Sequence, residues 1–165
     1  MSNSSFVGDL GICPTAAQWE SRQLKFRELE FIALGDSGFA QHDQVLPVTY
    51  ELEQAFCAGA WVAVVILAHA LVDVYFNEQG LREHKQRLVH LSAHPMKAQL
   101  EWLRMHRNPL VHVDPKAPAA VTIDDQWFER DKLYENAKRA VSIAFRFTLE
   151  CSRATMRPNR VAGSF

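Results

Sequence analysis

The sequence predicts an all-α fold, and three observations carry that prediction. Apolar residues recur at helical spacing over long stretches, Thr15 with Gln18 and Thr122 with Asp125 open two of those stretches as capping boxes, and no period-2 alternation or Asn-Gly turn calls for a strand. The expected architecture is an up-and-down four-helix bundle with a short additional helix.

The first helix runs roughly from 16 to 34, with Trp19, Phe26, Leu29 and Ile32 on one face. Gly35-Asp36-Ser37-Gly38 and Pro47 bound a loop. From Thr49 to Asn77 the only breaker is Gly59, so one long, mostly apolar second helix is expected. Its stretch 55–72 has one polar side chain and touches the lower length limit of a membrane span. The flanking Glu51, Glu53 and Asp73 and the many alanines favour a buried bundle helix instead. Ala55, Gly59 and Ala63 would let another helix, of this chain or of a second subunit, approach closely.

After a turn at Gly80, LREHKQRLVHL makes the short helix. Pro95 is suited to the first position of the next helix, which carries Leu100, Leu103 and the segment EWLRMHRNPLVHVD. VDPKAPAAV is a loop, and a final helix runs from Thr122 to about Thr155 with Tyr134, Ala137, Val141, Ala144, Phe145 and Thr148 on one face. Residues 1–165 form a single domain in this reading, with 1–14 and 157–165 as flexible tails.

Composition narrows the function classes. With 165 residues, 48% hydrophobic and 22% charged, the chain can bury a core without disulfides or metals to staple it. Cys13, Cys57 and Cys151 are odd in number and lie outside any CxxC, which fits reduced thiols in the cytoplasm. The N-terminus lacks the basic and apolar regions of a signal peptide.

The net charge of −1 hides an uneven distribution. Residues 1–81 hold three Lys/Arg against ten Asp/Glu, residues 82–116 seven against three, and residues 117–165 eight against six. Five of the seven histidines fall in the basic middle stretch. A polyanion would be drawn there, although the chain lacks the overall positive field of a sequence-indifferent DNA binder.

Within that stretch, Pro109 interrupts a helix beside Arg107, Asn108 and His112. Proline supplies no N–H to the carbonyl four residues back and its ring crowds that carbonyl, so the helix should kink or end there. On a regular helix Arg107 and His112 would point about 140° apart. A kink or terminus between them can turn both toward one cleft, with the Asn108 amide satisfying freed backbone groups or orienting the ring.

Arg107-Asn108-Pro109-Leu110-Val111-His112 resembles the RX4H signature of the HEPN superfamily, and Leu103-Arg104 and Val113 resemble its usual surroundings. The resemblance implies an all-α domain of about this size and, in many members, a metal-independent endoribonuclease of toxin, antiphage-defence or CRISPR systems. Arg107, Asn108 and His112 are then the catalytic candidates, with Arg104 and Asp73 as candidate substrate-binding residues. The resemblance further implies RNA as the partner, a homodimer whose two motifs make a composite site, an antitoxin or regulatory partner, no cofactor and no membrane. Where the nucleotidyltransferase-paired members carry Tyr two residues after the His, this chain has Asp114.

The chemistry suits these residue types. RNA cleavage without metal uses the ribose 2′-OH as nucleophile and needs a proton acceptor or donor and a cation on the developing phosphorane. Imidazole, which titrates near ~6.5 when unperturbed, suits the first role, and a guanidinium the second. The products would be a 2′,3′-cyclic phosphate and a 5′-hydroxyl.

Other readings compete. The bland one is structural: Arg-Asn at a helix end and a buried His nearby. A metal reading rests on His69 with Asp73 and His90 with His94, both at i,i+4, but no ExxH pair of the di-iron type is present. Trp19, Trp61, Trp102 and Trp127 lie in apolar runs and are expected as core anchors. The alternative function is a non-catalytic helical dimer binding a nucleotide, an RNA or a protein.

Overall fold

A computed structural model describes residues 13–35, 45–112 and 121–155. The expected loop core at 36–44, the loop at 113–120 and most of both tails lie outside the described residues. Among the described residues the only regular structure is helix, in seven segments. They are α1 (Ala16–Leu34), α2 (Val45–Ala58), α3 (Trp61–Glu78), α4 (His84–Ser92), α5 (Lys97–Val111), α6 (Ile123–Phe128) and α7 (Arg130–Thr155).

Helix α1 begins as the capping box predicts: the Gln18 amide N–H donates to Thr15 Oγ1 at 3.2 Å, and Thr15 N–H donates to Gln18 Oε1 at 2.9 Å. Helices α3 and α7 form the centre. Helix α3 packs against α2, α5 and α7, while α1 closes the side formed by α2 and α7. Phe26 of α1 meets Phe56 of α2 and Phe145 of α7 at centroid separations of 5.6 and 5.4 Å. Leu71, Leu103, Ala137, Val141 and Phe145 are fully buried. Each large apolar side chain so placed contributes about 1.5–3 kcal/mol.

Several expectations are corrected. The long second helix is two helices, because Gly59 adopts φ +76 and ends α2. A Cβ at Gly59 would lie 2.7 Å from Arg22 Nη1. The close approach that this glycine permits is therefore by arginine side chains rather than by another helix. Arg22 donates to the Cys57 carbonyl at 3.1 Å and Arg130 to the Gly59 carbonyl at 3.1 Å, and both guanidinium groups lie over the Trp61 ring. Carbonyls freed at the end of α2 thus find donors from α1 and α7.

The final helix is also divided. Thr122 caps α6 as expected, with Asp125 N–H donating to Thr122 Oγ1 at 3.1 Å, but Glu129 leaves helical geometry and α7 starts at Arg130. Pro95 lies in the turn ahead of α5 rather than at its first position; there the Met96 N–H donates to His94 Nδ1 at 3.1 Å. Ile32 is 71% exposed, so it does not share the core face with Phe26. Of the four tryptophans only Trp61 is buried; Trp19, Trp102 and Trp127 are half-buried.

Helix α3 is the one described helix long and apolar enough to cross a membrane, and 44% of it is buried within the protein. Its Asp73 carries an ion pair with Arg87 of α4.

Candidate functional site

Helix α5 passes through Pro109 and ends at Val111, two residues later than the proline alone would suggest. His112 then turns to φ −121, ψ 109, an extended conformation, while its N–H still donates to the Asn108 carbonyl at 2.9 Å. This single change of backbone state swings the imidazole back along the helix. Arg107 Nη1 lies 3.3 Å from His112 Nε2. A guanidinium can only donate, so the contact requires an unprotonated Nε2 and the neutral ring with its proton on Nδ1.

The Asn108 side chain serves the arginine rather than the imidazole. Its Oδ1 accepts from Arg107 Nη1 at 3.3 Å, and its backbone carbonyl holds His112. His112 is exposed, while Arg107 and Asn108 are half-buried. All three can therefore reach a solvent-borne substrate from one helix end.

The two further candidates lie beside this trio. Asp73 of α3 and Arg104 of α5 line one cavity of about 250 Å³, together with His69, Phe76, Arg87, Leu91, Ser92, Lys97, Leu100 and Glu101. Asp73 Oδ2 contacts His69 Nδ1 at 3.1 Å and its Oδ1 accepts from Arg87 Nη1 at 2.6 Å. Burial alone would push the Asp73 carboxyl up. The hydrogen bond from His69 and the charges of His69, Arg87 and Arg107 outweigh it and hold the group below the ordinary carboxylate range. Arg107 and Asp73 thus feel each other electrostatically, which ties the motif to the cavity.

Arg87 organises the far wall. It also donates from Nη2 to Asn77 Oδ1 and from Nε to the Leu81 carbonyl, both at 2.7 Å, and lies over the Phe76 ring. Neither His69 nor Arg87 stood out as a site residue in the sequence. His69 was visible only as an i,i+4 partner of Asp73. Arg87 reaches fourteen residues back because the Gly80 turn, with φ +74, folds α4 along α3.

The metal reading gains nothing further. His90 and His94 straddle the end of α4 with ring centroids 5.6 Å apart. Among the described residues no three His, Cys, Asp or Glu side chains converge to hold an ion. No protein-family model, curated protein or solved structure matches the chain. What can be argued about function rests on its own residues.

Proposed function

We propose that the chain is a metal-independent endoribonuclease of HEPN type, a cytoplasmic toxin or antiphage effector whose helices form a HEPN-like four-helix bundle. The observation that carries this reading is the exposed Arg107–His112 pair at 3.3 Å, five residues apart on a helix end. The imidazole faces solvent beside a guanidinium, where a substrate can reach both.

In the proposed reaction His112 Nε2 takes the proton of a ribose 2′-OH as that oxygen attacks the adjacent phosphorus. The P–O5′ bond breaks, and the leaving 5′ oxygen takes a proton from the imidazolium of a second protomer, which is left as the neutral ring. Arg107 moves from His112 onto the non-bridging phosphate oxygens, where its charge offsets the developing negative charge. Asn108 positions Arg107. The products are a 2′,3′-cyclic phosphate and a 5′-hydroxyl, and each homodimer holds two motifs about a two-fold axis.

Purified protein incubated with total RNA tests this reading. Cleavage should be lost, by at least a hundredfold, in both Arg107→Ala and His112→Ala while helical circular dichroism is retained. Undiminished cleavage in both variants would remove the motif from the mechanism, and no cleavage by the wild type would leave an RNA-, nucleotide- or protein-binding helical dimer as the reading.

A further inference from the structure

The cavity between α3, α4 and α5 has features that structural packing does not require. Its walls include Phe76, Leu91 and Leu100, an apolar surface suited to a planar ring, with the Arg87 guanidinium over the Phe76 ring. At its rim Lys97 and Arg104 are exposed cations with no carboxylate partner among the described residues. On α5 they occupy i and i+7, with Glu101 between, so they share one stripe of the helix. That stripe continues to Asn108, and Arg107 lies only three residues, about 4.5 Å along the axis, beyond Arg104.

The carboxylates and the serine hydroxyl of the cavity present acceptors. Asp73 is an ionised carboxylate with lone pairs left after His69 and Arg87, Glu101 has no partner among the described residues, and Ser92 Oγ already donates to the Val89 carbonyl at 2.7 Å. A ring carrying an exocyclic amine could give hydrogen bonds to such a wall; uracil brings two carbonyl acceptors and a single N3–H donor, so it pairs with that wall less well. At about 250 Å³ the space falls just below the range of drug-sized ligand pockets, about 300–1,000 Å³.

We propose that this cavity is a nucleotide subsite, taking an amine-bearing base against Phe76, Leu91 and Leu100 with its phosphate on Arg104 and Lys97. It seats the nucleotide next to the one cut at Arg107 and His112. The assignment of a neighbouring scissile bond rests on the nuclease reading; binding of the nucleotide does not.

Calorimetric titration of the full chain with AMP, GMP, CMP and UMP tests it. At least one of the three amine-bearing nucleotides should bind, with UMP at least fivefold weaker than the best of them. Arg104→Glu should weaken binding at least tenfold. Ser92→Trp, an exposed position where the indole can fill the mouth, should abolish it with the circular dichroism spectrum intact. Absence of saturable binding, equal affinity for UMP, or binding indifferent to both cavity variants overturns the proposal. If RNA cleavage fails its own test while nucleotide binding behaves as described, the nuclease reading falls and the subsite stands. Cleavage with no mononucleotide binding gives the reverse.

Discussion

Arg107 Nη1 and His112 Nε2 lie 3.3 Å apart although a continuous helix would hold their side chains about 140° from each other. What reconciles them is that helical geometry stops at Val111 and His112 is extended. The pair is therefore a product of where α5 ends, and Pro109 removes one hydrogen bond from the turn in which it ends.

Replacing that proline separates stability from geometry. Pro109→Ala restores an N–H to the carbonyl of Met105 and strengthens the last turn, by up to the ~3 kcal/mol that separates Pro from Ala in a helix interior. The melting temperature should rise. A stronger turn favours extension of α5 past Val111, which carries His112 away from Arg107, so RNA cleavage should fall at least tenfold. A thermal melt and a cleavage assay on the same sample check both halves, and unchanged cleavage would dissociate the proline from the geometry of the pair.

Gly59 is the most constrained backbone position described. Gly59→Ala places a β-carbon in the left-handed region and 2.7 Å from Arg22 Nη1. Strain of this kind costs about 1–3 kcal/mol, and displacement of the arginine also weakens its bond to the Cys57 carbonyl. Denaturant unfolding should show a lower midpoint with an unchanged slope. Arg130→Ala, which removes the donor to the Gly59 carbonyl, should shift the midpoint in the same direction.

The Asp73 network makes a signed prediction for acid stability. Burial opposes ionisation of this carboxyl, but His69, Arg87 and Arg107 together depress its folded-state value below the ordinary carboxylate range. An unfolded Asp titrates near ~3.9, so the contribution is fully present above that pH and is lost as pH falls through the lower folded value. Asp73→Asn should reduce stability at neutral pH and flatten the loss at acid pH. Stability curves from pH 7 down to pH 3 for the two proteins should converge; parallel curves would mean that the ion pair contributes nothing.

The thiols should differ sharply in reactivity. Burial pushes the Cys151 thiol up to about 11 and raises that of Cys57, whereas Cys13 is exposed. A neutral-pH maleimide or disulfide reagent should modify one thiol rapidly in the native protein and three after denaturation. Mass spectrometry counts them, and rapid double labelling of the native state would contradict the packing around α2 and α7.

Legibility in the sequence followed the range of the interactions. The caps at Thr15 and Thr122 were readable because a hydroxyl and a residue three positions on satisfy each other within one turn. The buried face of α7 was readable because five of its six expected residues recur at helical spacing and are fully buried, with Tyr134 half-buried. The breaks were harder. Gly59 could be seen, yet whether a lone glycine breaks a helix depends on partners for the freed carbonyls, and Arg22 and Arg130 come from 35 and 71 residues away. The division at Glu129 has no glycine or proline to announce it.

The candidate site divides in the same way. Arg107, Asn108 and His112 are local and could be named from six consecutive residues. Asp73 and Arg104 could be named only loosely, and their common cavity depends on three helices meeting. Arg87 was invisible as a participant because its role depends on α4 doubling back beneath the Gly80 turn, a tertiary event with no periodic signature.

The imidazole of His112 hangs from the C-terminal edge of α5 rather than from its middle. Unwinding of a single terminal turn, a fluctuation far smaller than global denaturation, is enough to scatter the pair, and any polyanion that clasps Arg104 and Arg107 together would draw that turn tight. Turnover should then follow local order at this one helix tip, measurable as amide exchange at residues 110–112, long before the core that Phe26, Phe56 and Phe145 hold begins to loosen.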